Sequence, residues 1–268
     1  MVGASVLLLS LCSSCAPPPS PQMPAAPMAP AVFILAGQSN MVGRGITADL
    51  SDTLRRVPSR VTFILSGEER EFGDQPTFGP EVGFAHSLAE AWPGREIILI
   101  KHAVGGTSLL AWAPAWDSAQ AERTRNAAAG PLYDALLGQF REARLPNEFQ
   151  VLGILWMQGE RDANFPEVAD DYEGNLRTLI RAFRRDLAAP EVPFFMGQIN
   201  PPSTGWPAAA RVRAAQETSA EEIPRTLLIR TEDLSKRDDE PVHYDGSGLL
   251  QLGSRFSDAV VRYYARDW

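Results

Sequence analysis

The feature that most restricts the fold is a set of six short runs that are apolar almost without interruption. They fall at 32–36, 61–65, 96–101, 151–156, 192–197 and 226–229. A strand with one wet face alternates apolar and polar residues. A continuous run instead marks a strand buried on both faces, as in a parallel sheet. The stretches 80–91, 132–143, 169–187, 207–219 and 248–264 lie between or after these runs and carry helical patterning. Parallel neighbours need a crossover, and a helix supplies it. The alternation predicts an α/β fold: one three-layer α/β/α sandwich around a central parallel sheet of the flavodoxin-like kind. Reactive residues then belong at the carboxyl ends of the strands.

The first 31 residues stand apart from this pattern. Residues 6–12 read VLLLSLC, too short to span a bilayer as a mature helix but suited to the core of an export signal. The run leads to Cys12-Ser13-Ser14-Cys15-Ala16. Small residues before Cys15 resemble a lipoprotein signal with Cys15 as the lipidated residue, and plain cleavage near Ala16 is the alternative. Residues 16–31, APPPSPQMPAAPMAPA, form a proline-rich tether. The expected organisation is therefore an export signal at 1–15, a tether at 16–31 and one catalytic body at 32–268. The expected location is periplasmic or extracellular, either free or membrane-anchored.

Residue counts narrow the chemistry. Cys12 and Cys15 are the only cysteines, so the body holds no disulfide and no thiol nucleophile. Three histidines, His86, His102 and His243, are too few for a histidine-rich metal site. No metal and no organic cofactor is expected. The net charge of −8 argues against nucleic acid as a partner.

Three strand ends and one later segment carry chemistry. The first run leads into Gly37-Gln38-Ser39-Asn40, where Ser39 is placed either as a nucleophile or as a helix cap. The pattern beginning at Gly43-Arg44-Gly45 lies too far from the strand to serve as a dinucleotide turn. The third run ends in His102-Ala103-Val104-Gly105-Gly106, whose glycines offer bare N–H groups or simply turn the chain. Trp112 and Trp116 follow, suited to stacking on sugar rings or to core packing. The fourth run ends in Gln158-Gly159-Glu160-Arg161-Asp162. The Gln158 amide is a candidate donor to an oxyanion, and the acids are catalytic helpers or partners of Arg161. Near the carboxyl end, Asp238-Asp239-Glu240-Pro241-Val242-His243 sets a carboxylate three residues before a histidine, the spacing that lets an acid reach Nδ1. His86 lies inside a helical stretch and His102 has no acid nearby in sequence.

Taken in order, LAGQSNMVGRG (35–45), FGPEVGFA (78–85), KHAVGGTSL (101–109), WMQGERDA (156–163) and VHYDGSGLLQLGSRF (242–256) resemble the SGNH hydrolases. More narrowly they resemble carbohydrate esterase family 6 and the sialate O-acetylesterases. The resemblance covers roughly residues 32–264. It implies a serine esterase that removes O-acetyl groups from carbohydrate, of the acetylxylan or sialic acid type. Ser39 matches the nucleophile and His243 the base. The N–H groups of Ser39 and of Gly105 or Gly106, with the Gln158 amide, match the oxyanion hole. The family's aspartate is Glu240 here, with Asp239 and Glu160 as rivals. Asn40, Trp112, Trp116 and Arg161 are candidate substrate contacts. Other readings are a non-catalytic carbohydrate-binding protein on this fold and a general small-acyl esterase.

Overall fold

A computed structural model describes Met1, residues 28–202 and residues 204–265. The export segment, Cys15 and the tether up to residue 27 lie outside the described residues. Among the described residues, no helix is long and apolar enough to cross a membrane.

The chain enters through β1 (Ala31–Gly37), which is buried along its whole length. It turns into the one-turn helix α1 (Ser39–Val42), then β2 (Gly45–Ile46), β3 (Val61–Leu65), β4 (Glu68–Glu69) and β5 (Thr77–Phe78). Helix α2 (Glu81–Ala91) leads into β6 (Ile97–Ala103). Next come α3 (Ser118–Glu122), α4 (Leu132–Glu142) and β7 (Gln150–Met157). Then α5 (Pro166–Ala169), α6 (Tyr172–Asp186), β8 (Phe194–Gly197), α7 (Ala209–Glu222), β9 (Thr226–Ile229) and α8 (Gly246–Tyr264) complete the chain.

Seven strands form one sheet in the order β4-β3-β6-β1-β7-β8-β9. All pairings are parallel except the short hairpin of β3 with β4. The six expected strands are all present, and β4 adds an antiparallel edge. Helices cover both faces. Phe33 packs edge-on against Phe84 of α2, and Phe195 against Tyr263 of α8. On the opposite face Phe194 meets Phe183 of α6, and Val32 lies in a cluster with Phe140 of α4. Helix α6 shows why it folds there: Tyr172, Leu176, Leu179, Ile180 and Phe183 recur at helical spacing, and all are buried.

One departure from the sequence expectation has a simple cause. The stretch 169–187 starts on the last residue of α5 and becomes α6 only at Tyr172, because Asp170 and Asp171 are poor interior helix residues and turn outward to Arg211 and Arg123. The glycines of the FGPEVGFA and GLLQLG stretches, to which sequence alone assigns no role, serve packing. A Cβ on Gly83 would sit 2.1 Å from the Leu250 carbonyl oxygen, and one on Gly253 would sit 2.1 Å from that of Pro80. Helices α2 and α8 therefore cross with their backbones in contact.

The site follows from the topology. Strand β1 is central, and the chain leaves toward β3 on one side and later returns to β7 on the other. That reversal opens a crevice at the carboxyl end of β1. Gly37 closes it from beneath, pairing with Ala103 on one side and Met157 on the other. Its φ of +144° and a Cβ position 2.1 Å from the Met157 oxygen leave room for glycine alone.

Candidate active site

Ser39 follows β1 directly and is 5% exposed. Its Oγ donates to no acceptor among the described residues, so the hydroxyl is left open to the crevice. Gln38 sets this turn. Its carbonyl accepts from the N–H groups of Met41 and Val42. Its side-chain Oε1 accepts from the N–H groups of Gly159 (3.3 Å) and Arg161 (3.2 Å). The serine turn is thereby fastened to the loop after β7. Below it, Lys101 Nζ donates to the Val42 carbonyl (2.9 Å) and pairs with Glu81 at 2.6 Å. Both side chains of that pair are nearly fully buried. Motif reading singled out neither Gln38 nor this pair, since their roles depend on partners about 20 to 120 residues away.

The glycine turn after β6 lies beside the serine, with a Cβ position on Gly105 only 3.8 Å from Ser39 Cβ. The backbone N–H groups of Ser39, Gly105 and Gly106 donate to no acceptor among the described residues. The rest of the turn is pinned from behind. Asn126 Nδ2 donates to the Gly106 carbonyl (3.2 Å), and the Ser108 N–H donates to Asn126 Oδ1 (2.8 Å). The Leu109 N–H reaches both oxygens of Asp162 at 3.1 Å.

Gln158 does not join those free donors. It is fully buried, and its Nε2 already donates to the Thr107 carbonyl (3.0 Å) and Asp162 Oδ2 (2.5 Å). Its Oε1 accepts from the Tyr172 hydroxyl at 3.2 Å. An amide with two N–H bonds has none left for an oxyanion, so the expected donor is a prop behind the glycine turn. Burial lifts the Asp162 carboxyl to about 7, against the lowering effect of its bonds to Gln158 and Leu109.

His243 arrives from the segment before α8, whose first turn is capped by the Asp245 side chain on the Gly248 N–H (2.8 Å). Its Nδ1 is 3.1 Å from Glu240 Oε2, and its Nε2 has no partner among the described residues. Burial depresses the His243 pKa, while the Glu240 bond and charge oppose this; Arg44 and Arg237 depress it further. The two rival acids are elsewhere. Asp239 is exposed and chelates Arg237. Glu160 is buried and accepts from Asn40 Nδ2 at 2.7 Å. Burial pushes Glu160 up to about 6.

The expected substrate contacts are mostly corrected. Asn40 is 2% exposed, and its amide is used on Glu160, Val242 and Tyr244. Trp112 is wholly buried, donates to Thr107 Oγ1 (3.1 Å) and packs edge-on against Trp156. Trp116 is half-buried against Gly130. Arg161 folds back onto the Thr124 carbonyl (3.0 and 2.6 Å) and over the Phe165 ring. A single sequence shows such residues near a strand end but not which way they face. A separate cleft of about 570 Å³ lies at the ends of β8 and β9, lined by Asn200, Trp206, Arg213, Glu217, Arg230 and Glu232 among others. It adjoins the histidine segment through Lys236, which donates to the Asn200 carbonyl and bridges to Tyr244. Arg213 makes no hydrogen bond or ion pair among the described residues.

Comparison with known proteins agrees with this architecture. Residues 29–262 match the family described as carbohydrate esterase, sialic acid-specific acetylesterase. A protein of Arabidopsis thaliana named "Probable carbohydrate esterase" is 26% identical over 254 residues, covering 86% of this chain and 90% of its own. An Arabidopsis thaliana crystal structure superposes with a TM-score of 0.72 at 22% identity, over 88% of this chain and 99% of that one. NanS superposes with a TM-score of 0.68 at 16% identity, over 90% and 99%. A carbohydrate acetylesterase of Xanthomonas citri gives 0.63 at 18%, covering 88% of this chain and 57% of that one. The chain belongs to the carbohydrate esterase, sialic acid-specific acetylesterase family and is a carboxylic ester hydrolase.

Proposed function

We propose that the protein removes O-acetyl groups from carbohydrate through an acetyl-enzyme on Ser39. The observation that carries this is the meeting, at one strand end, of an unpartnered serine hydroxyl and three unpartnered backbone N–H groups. Ser39 Oγ attacks the acetyl carbonyl and His243 Nε2 takes its proton. Glu240 holds the imidazole with Nδ1–H directed at its carboxylate. The N–H groups of Ser39, Gly105 and Gly106 receive the oxyanion. His243 returns the proton to the departing sugar hydroxyl, and water then frees acetate by the same steps. Serine and histidine are not hydrogen-bonded in the free protein. Such contacts are commonly long before substrate binds.

For the sugar, the family and the cleft beside the histidine segment both support an acetylated carbohydrate. Arg213, which makes no hydrogen bond or ion pair among the described residues although Glu217 of that cleft lies within electrostatic reach, favours a sugar bearing a carboxylate, of the sialic acid type, over a neutral xylan. The test is acetate release from acetylated sialic acid and acetylated xylan by the wild-type chain and by Ser39→Ala. The reading expects release from the sialic acid substrate and a loss of several orders of magnitude in a folded Ser39→Ala protein. Turnover near wild type in that variant removes Ser39 from the chemistry. Preference for xylan overturns the choice of sugar alone.

A further inference from the structure

The serine and histidine reach the crevice from opposite ends of the chain. Within α1 and its entry, residues 38–42, and the histidine segment, residues 240–245, the hydrogen bonds that join one to the other are both made by a single side chain. Asn40 Nδ2 donates to the Val242 carbonyl at 3.0 Å, and Asn40 Oδ1 accepts from the Tyr244 N–H at 3.1 Å. These partners are the two chain neighbours of His243, and Asn40 is the chain neighbour of Ser39. The amide therefore ties the residues on both sides of the base to the residue beside the nucleophile.

An amide can sit either way round, and here a third group decides. Asn40 Nδ2 also donates to Glu160 Oε1 at 2.7 Å. A carboxylate only accepts, so it holds the NH₂ end toward itself and Val242 and leaves the oxygen for the Tyr244 N–H. Both Asn40 and Glu160 are 2% exposed, so water does not substitute for any of these bonds. The other ties on the segment are local: the His243 N–H to the Glu240 carbonyl (2.8 Å), the Arg237 N–H to the His243 carbonyl (3.0 Å), and Asp245 to Ser235 through its N–H (3.3 Å) and its carboxylate (2.6 Å). They shape the segment without placing it against α1.

We infer that Asn40 is a positioning residue that sets the spacing between Ser39 and His243, with Glu160 as the lock on its amide. This rests on the hydrolytic reading above and deepens it. It also gives the acid after Gln158 and Gly159 a role distinct from the third member of a triad. A misplacement of about 1 Å between reacting groups is enough to lower turnover by about 10²-fold.

The test reverses the polarity of the pair. Asn40→Asp keeps an acceptor for Tyr244 but turns its second oxygen toward the Val242 carbonyl and the Glu160 carboxylate. Glu160→Gln added to it restores a donor facing an acceptor between positions 40 and 160. With p-nitrophenyl acetate, kcat of Asn40→Asp is expected to fall by about 10²-fold with KM within a few-fold of wild type, and the double variant is expected to recover about tenfold. The second readout needs no turnover. NMR titration of the His243 ring, assigned by its loss in His243→Asn, distinguishes it from His86 and His102. The charged groups acting on His243 are Glu240, Arg44 and Arg237. A released segment and an added negative charge both move its titration upward in Asn40→Asp. If wild type shows no esterase turnover, the hydrolytic reading falls, while the ring titration still reports on the tie. A wild-type kcat in Asn40→Asp overturns the inference. So does a loss confined to KM, or a kcat loss with no recovery in the double variant and an unmoved His243 titration.

Discussion

Glu240 Oε2 and His243 Nδ1 stand 3.1 Å apart across a four-residue turn that the His243 N–H closes onto the Glu240 carbonyl. The acid and the base it serves are thus one local unit, preorganised before α8 begins. The carboxylate is half exposed while the imidazole is nearly buried. Water can therefore take over part of its work when it is lost. In deeply buried triads the acid is worth up to about 10⁴ in kcat. Here Glu240→Gln is expected to lower kcat by about 10- to 10²-fold, with KM little changed. Asp239→Asn, which only releases Arg237, is expected to stay near wild type. Kinetics of the two variants on one acetyl ester check this, and a larger loss in Asp239→Asn rejects Glu240 as the orienting acid.

The same pair sets a pH dependence. His243 acts as a base only when neutral, and burial holds its pKa below the ordinary 6.5. Activity is lost as pH falls through that depressed value and is full above it. The acid limb of kcat/KM is therefore expected to have its midpoint below 6.5. Glu240 raises the His243 pKa by its bond and its charge. Glu240→Gln then shifts the limb to still lower pH. A limb that moves upward in this variant would show that the titrating group is not His243.

Much of the architecture was legible because buried parallel strands write their burial directly into the chain. Residues 61–65 and 226–229 were delimited to the residue, and the other four strands to within two residues at either end. The motifs pointed to Ser39, Gly105 and the Glu240–His243 pair; the fold sets Gly105 beside Ser39 and joins Asn40, the next residue, to Val242 and Tyr244 on either side of His243. What stayed illegible was direction. Trp112 and Asn40 stand in sequence where substrate contacts would stand, yet both turn inward to partners that only the folded chain supplies. The dipeptides at β2, β4 and β5 were too short to show a period. The crossing of α2 and α8 likewise depends on matching Gly83 with the backbone of Leu250, which no single segment reveals.

Gln158 illustrates the difference between a donor to substrate and a prop. Gln158→Ala strips a donor from the Thr107 carbonyl and from Asp162 Oδ2, both in the interior, while the Tyr172 hydroxyl keeps the Gln158 backbone carbonyl and Asp162 keeps the Leu109 N–H. Each buried polar group left unpaired costs about 1–3 kcal/mol. The variant is expected to unfold at clearly lower denaturant concentration than wild type, as well as losing kcat through a displaced glycine turn. Ser39→Ala removes no hydrogen bond among the described residues and is expected to keep wild-type stability. Urea unfolding of both variants checks this. A Gln158→Ala protein as stable as wild type, impaired only in kcat, would return the amide to the oxyanion hole.

Glu160 gives a stability prediction that is independent of catalysis. Its carboxyl is buried, and desolvation lifts its pKa from 4.5 to about 6 despite the Asn40 bond and the nearby Lys236 charge. The native state therefore holds the proton more tightly than the unfolded chain does. Between pH 4.5 and about 6 the unfolded state binds fewer protons, so stability falls as pH rises through that window. Below the window both states are protonated and no penalty applies; above it the penalty is complete. A shift of this size corresponds to about 2 kcal/mol. Glu160→Gln keeps an amide oxygen for Asn40 Nδ2 and has no charge to bury. The difference in unfolding free energy, wild type minus variant, is therefore expected to drop by about 2 kcal/mol from about pH 3.5 to about pH 7.5 and then level off. Urea unfolding of the pair across this range measures it. A difference that rises with pH would mean that Lys236 and Asn40 outweigh desolvation and that Glu160 is held as a stabilised carboxylate.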